Sequence, residues 1–155
     1  MIAILGITSN FVNTYKLLVR LSIGLLCMTG LIHSLSFLSE PNASNETEQQ
    51  LLNLMTTYKR DLGLGFAPTT TELFNALSSC FTLAYVLGGV VLLYLHIKTN
   101  DIKLIKGVLG IYVIAFGVSF LIMALLTFLP PIVLTGLTWA ALVGAYFSAN
   151  FAVRP

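Results

Sequence analysis

The chain has 155 residues, of which 57% are hydrophobic and only 9% charged, with a net charge of +2. Soluble domains carry about 25% charged residues, so a water-soluble globular protein is excluded and an integral membrane protein is indicated. No basic run is interleaved with aromatic residues, which argues against nucleic acid as a partner.

Residues 1–13 are mostly apolar, interrupted by Thr8, Ser9, Asn10 and Asn13, and are expected to lie at the membrane interface or to extend a first helix. Lys16 and Arg20 precede an uncharged run from Leu21 to Phe37. That order also fits a signal peptide, with Ser34 and Ser36 near a cleavage point; the reading preferred here is a retained helix, spanning about residues 17–38.

From Ser39 to Pro68 the composition turns polar. Thr47 to Gln50 fits a capping box, and Leu51, Leu54, Met55 and Tyr58 then recur at helical spacing. A short amphipathic helix over one mouth of a bundle is expected, with Gly63 and Gly65 able to end it. Asn42 and Asn45 each open a glycosylation acceptor pattern, which is meaningful only in a eukaryotic secretory chain. Chance matches in an Asn- and Ser-rich loop are the preferred reading.

Thr69-Thr70-Thr71-Glu72 reads as a helix start, followed by an uncharged run to Leu95 and a span over about 70–96. Asn75, Thr82 and Gly89 recur every seventh residue, with Ser78 and Ser79 between them, so small and hydrogen-bonding groups are expected on a face turned toward protein. A third span, about 104–129, carries Gly107, Gly110 and Gly117. Pro130-Pro131 then predicts a turn, because proline cannot continue a helix. The fourth span, about 132–152, has Gly136, Ala140, Gly144 and Ser148 at every fourth position and Ala141, Ala145 and Ala149 beside them. Two such rows allow close approach of neighbouring backbones; the plainer reading is packing between spans three and four, and the sharper one sets one row inside the bundle and the other against a partner subunit.

The expected fold is therefore all-α and integral to the membrane: a single four-helix transmembrane domain over residues 1–155, with a short extracytoplasmic amphipathic helix in the loop 39–69. Lys16, Arg20, Lys98, Lys103, Lys106 and Arg154 fall on one side, against Lys59 and Arg60 on the other. The positive-inside rule then puts both termini and the middle loop in the cytoplasm. Glu40, Glu46, Glu48, Asp61 and Glu72 all fall on the opposite side.

Candidate chemistry centres on His33, expected at a depth similar to Asn75, Ser78 and Ser79, with Glu72 just outside. A histidine with a nearby carboxylate can act as a general base or proton relay. The plainer reading makes Glu72 a capping residue and His33 interhelical glue bonded to Asn75 or Ser78, worth about 0.6 kcal/mol. Cys27 and Cys80 match no metal spacing and read as packing groups. No metal site and no cofactor are expected. No span carries a charged residue deep in the bilayer and no pair of broken helices repeats, which argues against transport.

The segments Gly30-Leu-Ile-His33-Ser34, Thr71-Glu72-Leu-Phe74, Leu-Ala-Tyr-Val-Leu-Gly88-Gly89 and Phe128-Leu-Pro130-Pro131 together resemble small bacterial four-span membrane proteins of the DoxX-like kind. The Gly-x-x-His pattern of that group is matched by Gly30 and His33. The resemblance implies a bacterial inner-membrane location and supplies no activity. Sterol-isomerase-like bundles share the architecture but place acidic groups in the membrane, which this chain lacks. The expected function is a non-catalytic accessory or scaffold subunit of a larger membrane complex, with the lipid bilayer and other membrane subunits as partners. The alternative is an enzyme or binding protein for a small apolar molecule, a quinone or lipid, at His33.

Overall fold

Apolar sequence that crosses about 30 Å of hydrocarbon must satisfy its backbone internally, and this chain does so as helix. The computed structural model describes the backbone of residues 2–38 and 42–152, and side chains in 13–38 and 42–151. Glu40 and Arg154, part of the charge asymmetry, lie outside the described residues. So do the side chains of Thr8, Ser9 and Asn10.

The elements are α1 (Ile2–Ser34), a 3-10 turn (Leu35–Leu38), α2 (Glu46–Thr57), α3 (Thr70–Lys98), α4 (Ile102–Leu126) and α5 (Leu129–Ala152). Four stretches are long and apolar enough to cross a membrane: Asn13–Leu38, Thr70–Lys98, Ile102–Leu126 and Leu129–Phe151. They make an all-α, four-helix membrane bundle. Leu17, Ile111, Ile114 and Leu125 are each more than 60% exposed. In water such surfaces would associate; in a bilayer they meet lipid.

Local chemistry sets the helix starts. At α3 the capping box closes reciprocally: Glu72 N donates to Thr69 Oγ1 (3.2 Å) and Thr69 N to Glu72 Oε2 (2.7 Å). Asp101 caps α4, accepting from Lys103 N and Leu104 N. Two expectations are corrected. The cap of α2 is Asn45, whose side chain accepts from Glu48 N (2.9 Å), not Thr47. Pro130-Pro131 does not separate α4 from α5. The prolines occupy the first turn of α5, where a missing N–H costs nothing because first-turn donors have no intrahelical partner anyway. The connection shrinks to Thr127 and Phe128.

The chain divides into two compact units: Met1–Thr29 with Tyr85–Pro155, and Gly30–Ala84. In the first, α1 turns inward Tyr15, Val19, Ser22, Leu26 and Thr29, and α5 turns inward Thr135, Thr138, Leu142, Ala145 and Ala149, all buried. Both series alternate steps of three and four, the seam spacing of helices that pack nearly parallel or antiparallel. α4 and α5 interlock by aromatic rings set against glycines. A Cβ on Gly117 would lie 2.7 Å from Trp139 Nε1, one on Gly136 3.0 Å from Phe120, and one on Gly110 3.3 Å from Tyr146. The Trp139 indole N–H donates to the Val113 carbonyl (3.0 Å), and its ring stacks on Phe120. On α3, Gly89 lies so close to α1 that a Cβ would run into Cys27 Sγ and come within 3.3 Å of the Ile23 carbonyl.

In the second unit, α2 is tied to α3 by Thr71 Oγ1 donating to the Met55 carbonyl (3.1 Å). Between them, an isolated antiparallel bridge pairs Lys59 with Thr69. Gly63 and Gly65 do not end α2, which stops at Thr57. With φ of 85° and 84° they turn the loop at Leu64, a left-handed conformation that glycine takes without a Cβ clash.

Candidate functional site around His33

His33 occupies the last turn of α1, where the chain passes into the 3-10 turn. Ser34 Oγ donates to the Leu31 carbonyl and Ser36 Oγ to the His33 carbonyl, so local hydroxyls satisfy acceptors that the ending helix leaves open. The imidazole packs between Phe81 of α3 (centroids 4.6 Å apart) and Phe37 (6.2 Å, edge on). Its Nε2 is enclosed and has no hydrogen-bond partner among the described residues; the same is true of Thr82 Oγ1.

The polar residues of α3 separate. Asn75 and Ser79 are exposed, with Ser79 Oγ bonded to the Asn75 carbonyl of its own helix (2.7 Å). Ser78 and Thr82 are half-buried. No described hydrogen bond joins His33 to Asn75 or Ser78. Glu72 is exposed and its Oε2 accepts from both the N–H and the hydroxyl of Thr69, so that carboxylate is engaged at the helix start. The imidazole can offer a ligand one hydrogen bond inside an aromatic frame; among the described residues no carboxylate is hydrogen-bonded to it. No group of three or more potential metal ligands occurs among the described residues.

The two small-residue rows of α5 lie in the first unit. Ala141, Ala145 and Ala149 are buried. Gly136 faces Phe120, Gly144 lies 3.6 Å (from a built Cβ) from Leu18, Ser148 is half-buried and Ala140 is exposed. Cys27 is half-buried and Cys80 exposed, both as free thiols.

Sequence reasoning missed the pairing of Tyr85 with Ser119 (3.0 Å), the Tyr112 hydroxyl on the Gly88 carbonyl (3.1 Å) and the Arg20–His96 contact. The alternating three- and four-residue spacing from Tyr15 to Thr29 was a legible signal for the α1 seam. The individual bonds had none. Comparison with family models, curated proteins and solved structures finds no match to this chain.

Proposed function

We propose that the chain is a non-catalytic accessory or scaffold subunit of a larger membrane assembly. Gly24 is the observation that carries this reading. Glycine in a helix interior costs about 0.5–1 kcal/mol relative to alanine, and Gly89, Gly110, Gly117 and Gly136 offset it through close contact with a neighbour. Gly24 is exposed, with nothing within 4 Å of a built Cβ, between exposed Leu21 and Met28 on the same face of α1. Gly107 of α4 is equally open. In lipid, a notch of this kind lets a second helix backbone approach. The charge asymmetry supports cytoplasmic termini, and a bacterial inner membrane is what the DoxX-like resemblance implies.

The test is Gly24→Leu in the full chain, purified in mild detergent from its native membrane. The isolated chain should unfold at the same temperature or higher, while a co-purifying membrane subunit is lost. Wild type that purifies with no partner, or a variant that keeps its partner, would overturn the reading.

A second reading, binding of a small apolar molecule with one polar end such as a quinone or lipid, is favoured by the enclosed, unpartnered His33 Nε2 and Thr82 Oγ1. Its test is the His33 substitution discussed below.

A further inference from the structure

Lys16 and Arg20 stand one helical turn apart on α1, where like charges repel. With Tyr15, they line a cavity of about 350 Å³ whose far wall includes His96, Thr99 and Asn100. Among the described residues, no acidic one lines it. The one carboxylate between residues 73 and 155 is Asp101. Its Oδ1 is turned to the start of its own helix, 2.9 Å from Lys103 N and 3.2 Å from Leu104 N.

The lining is rich in donors. Arg20 Nε donates to His96 Nε2 (3.3 Å), which orients the guanidinium without spending its two Nη groups, the fork that matches phosphate oxygens. Thr99 Oγ1 accepts from Asp101 N (3.0 Å), so its hydroxyl proton is left to donate elsewhere. Tyr15 is only 2% exposed, and its hydroxyl is buried with no hydrogen-bond partner among the described residues. A buried hydroxyl without a partner is costly, and because Tyr15 belongs to the lining of this cationic cavity, an anion seated against it would give that hydroxyl an acceptor.

We propose that this cavity binds a phosphate-bearing anion. Two cations and hydroxyl donors from different elements suit a group with several oxygens better than a single planar carboxylate. The cavity lies where α3 gives way to α4, at the ends of two apolar spans, the level of lipid headgroups. Ile102 and Ile105 supply its apolar part, and exposed Leu17 and Leu104 lie beside the lining residues in sequence. The phosphate of an anionic phospholipid reaches such a site with its acyl chains still in the bilayer; a soluble phosphate shares the chemistry.

The experiment uses the full chain in mild detergent, followed by native mass spectrometry and thermal unfolding. Phosphatidylglycerol, phosphatidylcholine and inorganic phosphate (against chloride at equal ionic strength) are titrated separately. Phosphatidylglycerol should bind at least about tenfold more tightly than phosphatidylcholine. Arg20→Gln should weaken it by about tenfold or more, the scale of a lost hydrogen bond to a charged group. Tyr15→Phe, which keeps the ring and its packing, should weaken it severalfold, and Lys103→Gln, at an exposed position outside the cavity, should leave it unchanged. Inorganic phosphate that stabilises the chain with the same dependence on Arg20 and Tyr15 supports the site and assigns it a soluble source. Equal binding of the two lipids with no effect of phosphate, unaltered binding by Tyr15→Phe, or an equal loss in Lys103→Gln would each overturn the proposal. If Arg20→Gln does not fold, the lipid comparison on wild type and the Tyr15→Phe variant decide.

Discussion

Thr29 of α1 and Thr138 of α5, 109 positions apart, share a buried hydrogen bond of 3.0 Å. Thr138 Oγ1 also donates to the Leu134 carbonyl (2.9 Å), so the arrangement that satisfies both hydroxyls has Thr29 donating to Thr138. The bond ties the two inward seams of the first unit at a point where neither helix carries a charge.

The direction of that bond has a measurable consequence. Thr29→Val removes the donor and leaves Thr138 still bonded to Leu134, so it should cost about 0.6 kcal/mol, the average for polar contacts between membrane helices. Thr138→Val should cost a similar amount, because the Thr29 hydroxyl can turn to a carbonyl of its own helix. Equilibrium unfolding in detergent of both singles and the double should show positive coupling. Strictly additive losses would count against the bond.

Glycine contacts rank by what a methyl group meets. Gly89→Ala drives a Cβ into Cys27 and against the Ile23 carbonyl, where backbone must move, and should destabilise by about 1–3 kcal/mol. Gly144→Ala meets only the Leu18 methyls at ordinary contact distance and should be neutral or stabilising by up to about 1 kcal/mol. Thermal unfolding of the two variants side by side is the check. The reverse order would mean that α1 and α3 do not approach as closely as described.

His33 makes no hydrogen bond through Nε2, so removing the ring's polarity should not cost stability. His33→Leu is expected to unfold at the wild-type temperature or slightly above, since a buried unpaired polar atom costs about 1–3 kcal/mol. A clear loss of stability would restore the interhelical-glue reading. A stable His33→Leu that loses a bound quinone or lipid seen in wild type by mass spectrometry would favour the binding reading over the accessory one.

Orientation is checked by labelling. In a background lacking Cys27 and Cys80, single cysteines at Ser44 and Asn100, both exposed, are treated with an impermeant thiol reagent on intact cells. Ser44→Cys should react from outside and Asn100→Cys only after permeabilisation, following the positive-inside rule. The opposite pattern inverts the topology.

Spans and caps were legible in the sequence because both are governed by near neighbours. The length of apolar sequence decides what can cross hydrocarbon, and a capping box such as Thr69 with Glu72 closes within one turn. Even so, two competing local signals were resolved only by the folded chain. Asn45 caps α2 where Thr47 also could, and Pro130-Pro131 opens a helix although proline more often signals a break. Residue type could not say which polar groups of α3 meet protein, since a seven-residue stripe fixes a face but not its neighbour. Asn75 is exposed and Thr82 half-buried on the same stripe. Nor could it bring Arg20 beside His96 across 76 positions, or Thr29 to Thr138 across 109. Those meetings depend on how helices pair and rotate about their axes, which packing of whole faces decides: glycine against ring, seam against seam.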